Sequence, residues 1–152
     1  TRSSVWGRSM NVRKLLHQVY NEISYIESLR KQRATVIEDN AGGKAIQTEV
    51  EKVCGGRQSD LSEVLERIED RAARIDAVIG IRLEHVMKLR EEAYRIFELI
   101  PESPGKMAAQ EHYLYHVPWE ELSGRKCYSM SYLKRACGEC ITELQKICDA
   151  EM

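Results

Sequence analysis

From Leu61 to Ile100, apolar or small residues recur at Leu61, Leu65, Ile68, Ala72, Ile75, Ile79, Val86, Leu89, Ala93, Ile96 and Ile100. The steps alternate four and three, and Arg82 fills the one slot that is missed. A seam of this period marks one long α-helix lying along another. At ~1.5 Å per residue, such a helix would run roughly 60 Å, more than a small globule encloses. Asp60 and Glu63 have capping-box spacing at its start, and Pro101 stops it. Arg82 reads as a register device, or as a stem that snorkels out of the seam.

The partner comes earlier in the chain. Val12, Leu16, Val19, Ile23 and Ile26 keep the same spacing, and Leu15, Leu29, Val36 and Ile37 widen the stripe. Asn11 is placed to cap a helix over 11–38. Asp39 to Gly43 end it with residues that tolerate left-handed backbone. Residues 39–59 read as a long, solvated connection, and residues 1–9 as an appended or upstream-derived tail, or else a disordered native one, outside the fold. Residues 10–100 thus predict an antiparallel two-helix hairpin. Its first helix is shorter, so the stretch from Leu89 to Ile100 needs another partner: the C-terminal segment or a second chain.

Residues 101–152 break the pattern into shorter pieces. Ser103-Pro104 is an N-cap followed by proline at the first helical position, opening a helix over 104–115. His116-Val117 interrupts it, Pro118 to Leu122 opens a short helix, and Gly124 to Tyr128 reads as a turn. Ser129 then caps a last helix reaching about Asp149. Helix, break, short helix, turn and capped helix is the order of a helix-turn-helix domain. Leu114, Val117, Trp119, Leu122, Leu133 and Ile141 would form its core. The fold class expected is therefore all-α: a long hairpin with a coiled-coil seam, then a small helix-turn-helix domain.

The residues Tyr113-Leu114, Val117-Pro118-Trp119-Glu120-Glu121-Leu122, Tyr128-Ser129, Arg135 and Gly138 resemble the sigma-70 region-4-like proteins of phages and prophages in Gram-positive bacteria. That resemblance implies a sequence-specific transcription regulator that binds double-stranded DNA and acts through contact with host RNA polymerase. It matches Tyr128-Ser129 to the start of the recognition helix and Arg135 to a DNA contact, and the helix-turn-helix order adds Arg125, Ser129, Ser131, Tyr132 and Lys134 as contact residues. Five positions depart from the family pattern. Cys127 stands at the turn glycine, Pro118 at a capping threonine, His112 at an arginine, and Ser131 and Lys134 at an arginine and a histidine. A homodimer would let the hairpin set half-site spacing.

Charge weighs on the other side. Net charge is -1, but residues 1–58 carry ten Lys/Arg against six Asp/Glu, and residues 101–152 carry six against eight. A DNA-reading domain usually shows a basic face. The alternative is a protein-interaction module whose hairpin binds host RNA polymerase or a defence enzyme without reading DNA. No apolar run approaches the ~20 residues of a membrane span, so no membrane partner is expected. Five cysteines without a secretion signal suggest free thiols in a cytoplasmic, reducing setting.

Cys127, Cys137, Cys140 and Cys148 raise a zinc reading. The C-x-x-C at Cys137 and Cys140 falls inside a predicted helix, however, and no second one follows. They are read as small hydrophobes, with no metal or cofactor implied. His112 and His116, four apart, lack the partner set of a metal motif, and His17 and His85 are single helix positions. Glu120 and Glu121 sit where a helix dipole favours anions. No phosphate loop, triad order or nucleophile elbow is present, and no enzyme activity is expected.

Overall fold

The computed structural model describes the backbone of residues 10–41 and 58–150, with side chains for 10–38 and 61–150. The tail 1–9 and most of the connection 39–59 lie outside the described residues. Every described element is helical: α1 (Val12–Ala41), α2 (Gln58–Phe97), α3 (Pro104–Ala109), a π turn (Gln110–Leu114), α4 (Trp119–Lys126) and α5 (Met130–Ala150). No described helix is long and apolar enough to cross a membrane.

Local signals set most helix ends. Asn11 Oδ1 accepts from Lys14 N at 2.9 Å, satisfying an unpaired donor of the first turn of α1. Ser103 caps α3 through Lys106 N, with proline next in line. Ser129 Oγ accepts from Tyr132 N at 3.1 Å and caps α5. Other boundaries move. α1 continues to Ala41, and α2 is already helical at Gln58, so Asp60 lies inside the helix and does not begin it. α2 closes at Phe97, ahead of Pro101, in a tightened turn where Ile100 N reaches Phe97 O. α4 runs through Gly124 to Lys126, which shortens the predicted turn to Cys127, Tyr128 and Ser129. The third helix loosens into the π turn over its second half.

Contacts divide the chain into two compact units, and the division runs through both long helices. One unit is Tyr25–Glu84; the other gathers the described parts of Thr1–Ser24 and His85–Met152. Within Tyr25–Glu84 the seam residues Ile26, Leu29, Ala72 and Ile79 are buried. Leu65, by contrast, remains 41% exposed. Arg82 lies with its guanidinium 4.8 Å from the Tyr25 ring centre, so the missed slot is filled by a cation–π contact. Arg33 and Asp76 meet at 2.7 Å on the surface, where an ion pair stabilises little.

The second unit holds the deeper core. Val12, Leu16, Val19, Val86, Ala93, Ile96 and Phe97 are buried there, together with Leu114, Leu122, Leu133, Ile141 and Leu144. The Leu89–Ile100 stretch of the seam thus has partners within its own chain. Arg90 Nε donates to the carbonyl of Leu114 at 2.7 Å, and its guanidinium lies over the Tyr115 ring. That hydrogen bond occupies a carbonyl that the end of the π turn leaves open. Lys106 is buried and donates to Ile100 O at 3.1 Å and to Glu102 at 2.8 Å.

α3 and α5 approach each other at Gly105. A Cβ there would lie 2.9 Å from the Ala136 carbonyl carbon and 3.3 Å from Cys140 Cβ. Backbone cannot yield cheaply, so Gly105→Ala should destabilise by about 1–3 kcal/mol, as overpacked cores do. At Gly124, also helical, a Cβ meets nothing within 4 Å. There the same change should stabilise by up to about 1 kcal/mol. Thermal melts of the two variants check this, and equal melting temperatures would remove the close-approach argument.

Candidate functional site

The N-terminal half of α5 is built by the turn that precedes it. Cys127 occupies left-handed backbone, with φ at 60°, at the C-cap of α4. This conformation suits glycine best. Its N–H donates to Ser123 O at 3.1 Å, and Ser123 Oγ donates to Tyr128 O at 2.6 Å. The chain then re-enters a helix through the Ser129 cap. α5 buries Leu133, Cys137, Cys140, Ile141, Leu144 and Cys148 on one side. With 3.6 residues per turn, the opposite side must carry Ser131, Arg135 and the residues a turn apart from them.

The sequence-predicted contact residues fall into two groups. Ser129, Ser131, Lys134 and Arg135 are exposed along the first turns of α5. Tyr132 is half-buried and stacks on Tyr128 at 5.0 Å, and the Arg135 guanidinium lies 5.8 Å from its ring centre. Arg125 stands apart on α4. It is paired with Glu121 on its own helix and reaches Glu111 at 3.4 Å, while Lys126 approaches Glu111 at 3.8 Å.

Lys134 and Arg135 open onto a groove of about 750 Å³ that also takes in Arg13, Lys146, Glu139 and Glu143. Arg13 arrives there because α1 begins against α5. Val12 N donates to Gln145 Oε1 at 2.8 Å, and Gln145 Nε2 donates to Met10 O at 2.8 Å. One amide therefore fixes the first turn of α1 across the chain. Sequence reasoning missed both Arg13 and this joint, for which there is no local signal.

The cysteines behave as packing groups. Burial pushes the Cys137 thiol up to about 12 and the Cys140 thiol up to about 11, so both hold their protons at neutral pH. Cys127 is exposed and Cys148 buried. Among the described residues no three His, Cys, Asp or Glu side chains gather as a metal site.

An aromatic and histidine cluster lies behind the turn: His112, His116 and Trp119 are close in the chain, but Tyr20 and Ser24 join them from about ninety residues away, which no local pattern announces. His112 stacks on Trp119 with ring centres 4.1 Å apart, and Tyr20 meets His116 at 4.3 Å and His112 at 5.0 Å. Trp119 is half-buried in this stack and not enclosed in the leucine core. His116, in left-handed backbone, places Nε2 2.7 Å from Ser24 Oγ. His112 Nδ1 donates to the Val117 carbonyl at 2.8 Å, which holds the break ahead of α4. Nearby, burial and the Tyr115 hydroxyl push Tyr94 up to about 12.

No known family, curated protein or solved structure matches this chain.

Burial lowers the His112 pKa below its ordinary 6.5, and the nearby His116, His17 and Lys134 lower it further. The unfolded chain then takes up a proton at about pH 6.5 that folded His112 resists. The stability contributed by its neutral form is present above that pH and is lost as pH falls through the folded value. His112→Gln should therefore lose less melting temperature between about pH 7.5 and 5.5 than the parent protein does. An identical acid shift in both would show that His112 does not set this dependence.

Proposed function

We propose that this chain is a sequence-specific DNA-binding transcription regulator of sigma region-4-like, phage-encoded type, built as a two-helix hairpin with a helix-turn-helix domain. One observation carries the reading. The first turns of α5 follow a tight left-handed turn and a serine cap, and they leave Ser131, Lys134 and Arg135 exposed. In a helix-turn-helix, the helix after the turn enters the major groove with its first residues against base edges. α4 is then the bracing helix, anchored by Leu122, which is fully buried, as are Leu114 and Leu133.

The roles follow from the chemistry of each side chain. Arg135 can fork onto guanine O6 and N7, and Lys134 can meet phosphate as a point charge. The hydroxyls of Ser129 and Ser131 and the phenol of Tyr132 are of the kind that meet phosphate oxygens. Arg125 reaches DNA only by leaving Glu121 and Glu111. Its present place fits bracing α4 better than reading bases.

The second reading, a module that binds a host protein such as RNA polymerase or a defence enzyme, is favoured by the apolar surface of Tyr25–Glu84. Ile81 is 67% exposed there, and Val78 and Leu83 are exposed as well. Apolar contact is nearly indifferent to salt, whereas DNA binding through several phosphates weakens steeply as salt rises.

The test is selection of bound duplexes from a randomised pool, followed by affinity for the recovered sequence. The double reversal Lys134→Glu and Arg135→Glu should weaken binding by at least about 100-fold, given ~1–3 kcal/mol per specific contact. It should leave the melting temperature unchanged. Equal affinity of the variant and the parent would refute the contact assignment. Recovery of no enriched sequence, with salt-insensitive capture of purified host RNA polymerase, would favour the second reading.

A further inference from the structure

We infer that the groove between the start of α1 and the outward side of α5 holds the sugar-phosphate backbone of duplex DNA, with Arg13 and Lys146 as phosphate contacts outside the helix-turn-helix. This rests on the DNA-binding reading and extends it to residues that neither the turn nor the resemblance assigns. Lys134 and Lys146 are twelve residues apart, which is about 18 Å along the helix at ~1.5 Å per residue. A B-DNA major groove is ~12 Å wide. A helix inserted at Lys134 and Arg135 would therefore carry Lys146 past the edge of the groove, where phosphates stand. Arg13 faces the same space from α1.

The charges in the groove are mixed but unequal. Arg13, Lys134, Arg135 and Lys146 oppose Glu139 and Glu143. Arg13 and Lys146 are both exposed, so their charges are available to a polyanion at no unfolding cost. The Gln145 amide holds Met10 and Val12 on either side of the α1 start, which fixes where Arg13 emerges. The two carboxylates repel phosphate and limit how tightly nonspecific DNA is held. They act as a brake on the cations beside them.

The experiment uses the full chain and a mixed-sequence duplex of about 30 base pairs, with affinity read by fluorescence anisotropy over a salt series. Arg13→Gln with Lys146→Gln should weaken binding on the order of ten- to a hundredfold near 100 mM salt and reduce the salt slope by about two. The loss should be the same for duplexes of unrelated sequence, because phosphate carries no sequence information. Glu139→Gln with Glu143→Gln should tighten binding to the same duplexes. If the Arg13/Lys146 variant keeps the parent's affinity and slope while the parent binds, the inference is overturned and the DNA reading survives. If the parent protein holds no duplex even at about 50 mM salt, where nonspecific binding is strongest, the reading and the inference fall together.

Discussion

Gly105 lets α3 lie against the backbone of α5 at Ala136, where an added side chain would collide, and the facing of α5 is tied to that close approach. The apolar stripe of this 21-residue helix, Leu133, Cys137, Cys140, Ile141, Leu144 and Cys148, sets which side turns to the core, and the close approach at Gly105 sharpens that choice. Here Ala136 and Cys140 must face α3 because no bulk separates the two backbones. Turning α5 by one residue, about 100°, would expose Leu133 and drive Lys134 inward. Removing a buried leucine from the core costs about 2–5 kcal/mol in comparable sites, and an unpaired buried ammonium costs more. The rotation is therefore fixed by packing, and the exposure of Lys134 and Arg135 follows from it.

The same logic governs the turn before α5. Left-handed backbone at Cys127 costs a non-glycine residue roughly 1–2 kcal/mol, and it persists because its surroundings hold it. Its N–H is taken by Ser123 O, the Ser123 hydroxyl is taken by Tyr128 O, and Leu122 is fully buried two positions before Gly124. Behind it, the His112 hydrogen bond to Val117 and the Trp119 stack hold the entry of α4. Both ends of the short helix are thus held in place by its own chain.

The sequence was most legible where a signal repeats or is local. Eleven seam positions over forty residues outweigh any single ambiguity, so the long helices could be placed, and the Asn11, Ser103 and Ser129 caps are written within three residues of the N–H groups they satisfy. The candidate contact residues on α5 were legible for the same reason, as positions just past a cap. Helix ends without a cap were harder. α4 runs through Gly124 to Lys126, because one helical glycine costs only about 1 kcal/mol, too little to end a helix by itself. Groups assembled from distant segments could not be read at all. Gln145 meets Val12 across 133 residues and Ser24 meets His116 across 92, and nothing in either neighbourhood announces the other. Arg13 belongs to this class, and so does the cluster around Tyr20.

The acidic balance of the last third argues against DNA binding only if charge is summed over the whole segment. Electrostatic interactions between exposed charges are screened beyond ~10 Å at 0.1 M salt, so a polyanion feels the charges beside it. Several of the carboxylates are engaged with cations away from the outward side of α5. Glu121 and Glu111 meet Arg125, Lys126 approaches Glu111, and Glu102 meets Lys106. Each such pair is close to neutral at the distance of a bound phosphate. The groove keeps four cations against two carboxylates. Local charge on that side is therefore opposite in sign to that of the segment as a whole, and the local value is the one that a DNA backbone lying along α5 would meet.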